Sequence, residues 1–162
     1  MTPNATKECR SSLAWRASGG YKTIRLWGNF SGDRHEAVMP PHQVLVVDDD
    51  EDIRESLMEF LADRGYEPLG AGDGREALDK LRSPGVRPCV IILDLMMPIM
   101  DGRMFREEQL RSADLSSIPV VIVSALKDTA DVARSLNVPN HLPKPLNLDA
   151  LLQVVRQHCP LS

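Results

Sequence analysis

Along residues 43–159, apolar and polar positions come in blocks of two kinds. Short continuous apolar runs, rich in β-branched side chains, mark strands buried on both faces. Val44-Leu45-Val46-Val47, Cys89 to Leu93 and Pro119 to Val123 are three such runs, and Tyr66 to Gly70 and Asn140 to Pro143 are two weaker ones. Between them lie polar segments with apolar residues at helical spacing. Glu51 to Arg64 carries Ile53, Leu57, Phe60 and Leu61 on one face, with Gly65 as a stop. Asp73 caps a helix with Ala77, Leu78 and Leu81, ended by Pro84-Gly85. Arg103 to Arg111 is a polar helix whose apolar content is Met104, Phe105 and Leu110. Asp128 to Leu136 turns Val132, Ala133 and Leu136 inward, and Asn147 caps a last helix with Leu148, Leu151, Leu152 and Val155.

Strand and helix therefore alternate five times. Such alternation predicts an α/β fold, a parallel sheet covered by helices on both faces. In an open sheet of this kind ligands bind at the carboxyl ends of the strands, near the switch in strand order. Those ends carry the candidate chemistry. The first strand ends in Asp48-Asp49, the third in Asp94, the fourth in Ser124, and Lys144 follows the fifth. In the order 2-1-3-4-5, strands 1, 3, 4 and 5 are neighbours about 4.8 Å apart, so these side chains converge.

Three carboxylates in one pocket repel, each pair by roughly 3 kcal/mol at about 5 Å and an effective dielectric near 20. A divalent cation relieves that repulsion, and an all-oxygen site that keeps waters and takes a phosphate suits Mg²⁺. Lys144 adds a point charge for a phosphate oxygen, and Ser124 a hydroxyl donor. Nucleophile, metal, cation and hydroxyl together fit phosphoryl transfer to a carboxylate.

Residues 43–159 resemble the response-regulator receiver domains, the chemotaxis-regulator fold. The resemblance rests on Val46-Val47-Asp48-Asp49-Asp50, on Leu93-Asp94-Leu95-Met96-Met97-Pro98 with Asp101-Gly102, on Val123-Ser124-Ala125 and on Pro143-Lys144-Pro145-Leu146. It implies a flavodoxin-like three-layer sandwich around a five-stranded sheet. It also implies a phosphorelay switch that catalyses its own phosphorylation and slow dephosphorylation. Asp94 is then the phosphoacceptor and a Mg²⁺ ligand. Asp49 ligates the ion directly, Asp48 mainly through water, and the Met96 backbone carbonyl completes the protein ligands. Lys144 pairs with the phosphoryl group, Ser124 is the hydroxyl that moves to contact it, Ala125 leaves room for it, and Pro145 follows a cis peptide bond. The donor would be a sensor histidine kinase or phosphotransfer protein. The output protein would bind the face of helix 4, strand 5 and helix 5, with a homodimer as a further option.

Three positions depart from the pattern. Met96, two after Asp94, and Leu126, two after Ser124, cannot orient an attacking water, so a long-lived phosphorylated state is expected. His141, three before Lys144, stands where the family usually has Tyr or Phe, which leaves that coupling open or makes it pH-sensitive.

Other readings were weighed. A haloacid-dehalogenase-type phosphatase wants a second Asp two residues after the nucleophile, where this chain has Met96. An adaptor that works without phosphorylation would not need the full set of site residues. Gly70-Ala71-Gly72-Asp73-Gly74 fits neither a Walker A loop nor a dinucleotide fingerprint and reads as turn plus cap. Asp50, Glu51 and Asp52 read as an acidic helix start.

Composition narrows the class further. The 162 residues are 43% apolar and 26% charged, enough for one globular domain with a core. No apolar run approaches the roughly 20 residues of a membrane span, and no secretory leader is evident. A net charge of −4 argues against nonspecific DNA binding. Residues 1–38 hold six basic and three acidic residues, while the remainder holds 13 and 20. Residues 1–40 therefore read as a poorly ordered extension, and 41–160 as the receiver domain. The extension is either a basic arm or the product of a start upstream of Met39. Since the chain stops after the fifth helix, no fused output domain is expected. Cys9, Cys89 and Cys159 form no disulfide framework by number and spacing, with Cys89 read as a small buried hydrophobe. That points to a reducing, cytoplasmic setting. His35, His42, His141 and His158 share no ligand spacing, so no zinc is expected. Met96, Met97, Met100 and Met104 read as packing.

Overall fold

The computed structural model describes residues 42–126 and 128–161. The expected extension at 1–40, with Cys9, His35 and Met39, lies outside the described residues. The elements run β1 (Gln43–Val47), α1 (Glu51–Ala62), β2 (Glu67–Ala71), α2 (Gly74–Arg82), β3 (Val90–Asp94), α3 (Gly102–Arg111), β4 (Val120–Ser124), α4 (Thr129–Ser135), β5 (Asn140–Pro143) and α5 (Leu148–His158). The five strands form one parallel sheet in the order β2-β1-β3-β4-β5. This is the parallel α/β sheet that the alternation of blocks predicts, in the flavodoxin-like order that the resemblance implies.

Alternate residues of the central strands feed two separate cores, as the two-residue period of a strand requires. Leu45, Val47, Ile91, Leu93, Val120 and Ile122 pack against residues of α2, α3 and α4. Val44, Val46, Val90, Ile92, Val121 and Val123 pack against Leu57 and Leu61 of α1 and Leu151, Leu152 and Val155 of α5. Helix starts at Asp73 and Asn147 follow the predicted caps, and Asp50 and Asp101 cap two more helices. Asp50, Asp73, Asp101 and Asn147 each accept a hydrogen bond from a backbone N–H in the first turn of the next helix. Gly65 takes a left-handed φ of 90° after α1, a conformation that glycine adopts without steric cost.

Several expectations are corrected. Ile53 and Leu148, assigned to buried helix faces, are exposed, and so are Met104 and Leu110 of α3. What α3 buries besides Phe105 is polar: Arg106 and Gln109. The Arg106 guanidinium donates to Gln109 Oε1 at 2.6 Å, and Gln109 Nε2 donates to the Leu115 and Ile118 carbonyls at 3.0 Å. This network satisfies the loop after α3, so its polarity is needed rather than incidental. Met97 and Met100 pack in the core, but Met96 is exposed. The cysteine reading also fails. Cys89 and Cys159 form a disulfide, with Cα atoms 5.6 Å apart across a sequence separation of 70. Cys89 is half-buried rather than buried. The fold carries the end of α5 back to the start of β3, and no local spacing signals that return.

Candidate functional site

The parallel sheet places the carboxyl ends of β1, β3, β4 and β5 side by side. Val47 pairs with Leu93, Asp94 with Val123, and Ser124 with Pro143. Asp48 follows β1, Asp94 and Ser124 end β3 and β4, and Lys144 follows β5. Carboxylate oxygens of Asp48, Asp49 and Asp94 all lie within 4.8 Å of one another. The Lys144 ammonium donates to Asp94 Oδ2 at 2.7 Å and to Asp48 Oδ2 at 2.8 Å. Asp48, Asp94 and Ser124 are buried, Lys144 is half-buried, and Asp49 is exposed.

The remaining oxygens are held by the backbone. Asp48 Oδ1 accepts from the Asp50 N–H at 3.0 Å, and Asp94 Oδ1 from the Met96 N–H at 3.1 Å. Ser124 Oγ accepts from the Leu126 N–H at 3.2 Å, and among the described residues it makes no hydrogen bond to either aspartate. The Ser124 carbonyl accepts from the Lys144 N–H at 2.9 Å, which ties β4 to the lysine's own backbone. The Lys144–Pro145 peptide bond is cis, as the resemblance implies.

Two charge states follow from this packing. Burial pushes the Asp48 carboxyl above its ordinary value of 3.8, and the hydrogen bond from Lys144 only partly offsets it. Burial alone would push the Lys144 ammonium down, but its hydrogen bonds to Asp48 and Asp94 outweigh that and hold it above 10.5. Both members of the pair are therefore raised. The lysine has two carboxylates to answer its charge, while Asp48 has one lysine shared with a rival.

Two residues to which no role was assigned from the sequence position the site. Arg54 of α1 donates to the Asp48 carbonyl at 2.7 Å, fixing the turn that presents Asp48 and Asp49. Gly102 lets α3 begin directly against β3. A Cβ there would lie 2.3 Å from the Asp94 carbonyl oxygen and 2.9 Å from Leu95 Cα. Gly102 belongs to a quoted motif, but only the fold shows what its missing side chain is for. Beside Lys144, a groove of about 420 Å³ is lined by Ile53, Leu57, Pro145, Leu146 and Leu148. A second groove of about 430 Å³, between α2 and α3, shares no residue with the carboxylate cluster.

The donor set suits a hard cation. Three carboxylates offer oxygen ligands, one of them solvent-exposed, in a place where their mutual repulsion needs more than one lysine to answer it. His141 is exposed on β5, at the sheet edge.

Residues 44–156 match the response regulator receiver domain family. The chain belongs to that family. Similar proteins include the response regulator MprA of Mycolicibacterium vanbaalenii, 40% identical over 118 residues, or 72% of this chain and 49% of that one. MprA of Mycobacterium avium is 39% identical, over 70% of this chain and 49% of that one. This chain thus spans about half the length of the curated relatives it matches. Among solved structures, the Vibrio cholerae chemotaxis protein CheY4 aligns with a TM-score of 0.66 at 31% identity, covering 73% of this chain and 98% of that one. A response regulator receiver protein from Pseudomonas putida aligns at 0.68 and 30%, covering 74% and 99%. The receiver is thus a two-component signalling module, a switch rather than a conventional enzyme. Phosphorylation, Mg²⁺ binding at the acidic pocket, and interaction with histidine kinases and output domains are general features of its family. No helix among the described residues is long and apolar enough to cross a membrane.

Proposed function

We propose that this receiver takes a phosphoryl group on Asp94 from a phosphohistidine of a sensor kinase or phosphotransfer protein, in a Mg²⁺-dependent step. One observation carries the reading: three carboxylates converge while Lys144 bridges the two buried ones at 2.7 and 2.8 Å. Such a cluster costs stability unless it is used, because two buried charges share one counter-ion.

An Asp94 carboxylate oxygen attacks phosphorus, the P–N bond breaks, and the bonding pair leaves with the histidine nitrogen. Lys144 then transfers its hydrogen bond from Asp94 to a phosphoryl oxygen. Ser124 releases the Leu126 N–H and donates its hydroxyl to another. Asp49, Asp94, the Met96 carbonyl and Asp48 would hold Mg²⁺, which would supply charge neutralisation for the phosphoryl transfer.

Output passes through a protein partner, or a second copy of the receiver, bound on α4, β5 and α5, without direct DNA contact. The setting is cytoplasmic, and residues 41–160 are the working unit. The phosphorylated form is long-lived, because Met96 and Leu126 offer no group to orient water.

Incubation with acetyl phosphate and Mg²⁺ tests the core of this reading by intact mass. The receiver gains one phosphoryl group, Asp94→Asn gains none, and decay takes minutes or longer. No gain in the parent chain would leave the adaptor reading, and decay within seconds would remove the argument from Met96 and Leu126.

A further inference from the structure

We propose that Cys89 and Cys159 form a reversible thiol–disulfide modification site, with His42 as its neighbouring base, at the amino end of the sheet. His42 precedes β1, Cys89 precedes β3, and Cys159 caps the end of α5. Ligand atoms of the three lie within 4.8 Å of one another, and the two sulfurs are joined. The pair is held in place from several sides. The Cys89 N–H donates to the Gln43 carbonyl at 2.9 Å, the Cys159 N–H to the Val155 carbonyl at 2.8 Å, and the Cys159 carbonyl accepts from the Tyr66 hydroxyl at 3.1 Å.

Two observations make the bond a switchable modification rather than a fixed staple. First, a domain of this size folds without cross-links, and Cys159 is one buried member among many in the core that α1 and α5 cover. Second, the two sulfurs differ in access. Cys159 is buried and Cys89 half-buried, so Cys89 is the residue of the pair nearer to a reagent in solvent. Accessible disulfides are the labile ones.

The oxidant is a low-molecular-weight disulfide. The Cys89 thiolate attacks one of its sulfurs, giving a mixed disulfide and releasing one small thiolate. His42 Nδ1, 3.9 Å from Cys159 Sγ, takes the Cys159 proton. The resulting thiolate attacks Cys89 Sγ and releases the second small thiol. Two protein thiols are oxidised, and one disulfide is reduced to two thiols. The closed form ties the end of α5 to the start of β3 and encloses everything from β3 to α5.

The reduced 162-residue chain, exposed to oxidised glutathione and then alkylated and digested, tests this. The Cys89 peptide becomes linked to the Cys159 peptide while Cys9 stays alkylated. The Tm rises by about 10 °C, since the loop closed is long. Dithiothreitol reverses both changes, and Cys89→Ser abolishes both. His42→Gln slows closure about tenfold without changing the final yield. Full alkylation of Cys89 and Cys159 after oxidant would overturn the proposal. So would glutathione retained on Cys89, or a dominant link to Cys9. Zn²⁺ that protects both thiols one-to-one while no disulfide forms would make the site a metal site instead.

Discussion

At the carboxyl end of the sheet, the buried Asp48 and Asp94 meet the half-buried Lys144, with Asp49 at the rim. At the amino end, His42, Cys89 and Cys159 gather at similar spacing around sulfur and imidazole. The first cluster is held by charge and turns on Lys144, whose loss leaves two buried carboxylates unanswered. The second is joined by a disulfide, and once that bond is reduced its side chains are neutral, so changing the half-buried Cys89 strands no buried charge. One sheet thus carries a charged end poised for chemistry and a neutral end that can be altered cheaply.

The largest test of that contrast is Lys144→Met. Without added Mg²⁺ it should lower unfolding free energy by about 3 kcal/mol in urea titrations, while Cys89→Ser under reducing conditions costs less than about 1 kcal/mol. Because Lys144 is raised above 10.5, its contribution is present below that pH and is lost as pH climbs through the raised value. Equal costs for the two substitutions would erase the distinction between the ends.

Gly102→Ala comes next, at about 2 kcal/mol. The new Cβ would press on the Asp94 carbonyl and Leu95 Cα, both backbone, so nothing flexible can yield. Slower phosphoryl uptake should accompany the loss, because α3 shifts against the residue that accepts the phosphoryl group. A neutral effect in thermal melts would mean that the close approach is easily relaxed.

The smallest effect concerns Asp48. Its carboxyl is raised above 3.8 in the folded state, mainly by burial, so the folded form holds that proton more tightly than the unfolded chain. The resulting stability is complete below 3.8 and fades as pH rises through the raised value. Asp48→Asn removes the buried charge. It should therefore match or exceed the parent by up to about 1 kcal/mol near neutral pH, with the advantage shrinking as acid is added. Melts across that range check it, and an advantage that grows in acid would reverse the sign of the argument.

Legibility in the sequence followed the same divide. The sheet was readable because three runs of apolar residues are long enough to be strands and the caps Asp73 and Asn147 stand where helices begin. The members of the acidic cluster were readable as candidates because each lies next to the end of a strand, so strand order alone brings them together. Strand ends slipped by one residue, with Cys89 and Pro119 read into β3 and β4, because periodicity does not mark where pairing stops. Burial on α3 was misjudged because Arg106 and Gln109 are wanted by loop carbonyls that only the tertiary structure supplies. The Cys89–Cys159 pairing was invisible for a related reason: it depends on α5 returning beneath the sheet.

The most direct measurement is a crystal structure of the receiver grown with Mg²⁺ and beryllium fluoride, a phosphoryl mimic. The account predicts an ion about 2.1 Å from oxygens of Asp49 and Asp94, the fluoride on Asp94, and Lys144 turned from Asp94 to a fluorine. An ordered acidic pocket in which Lys144 still bridges Asp48 and Asp94, with neither ion nor fluoride bound, would contradict it.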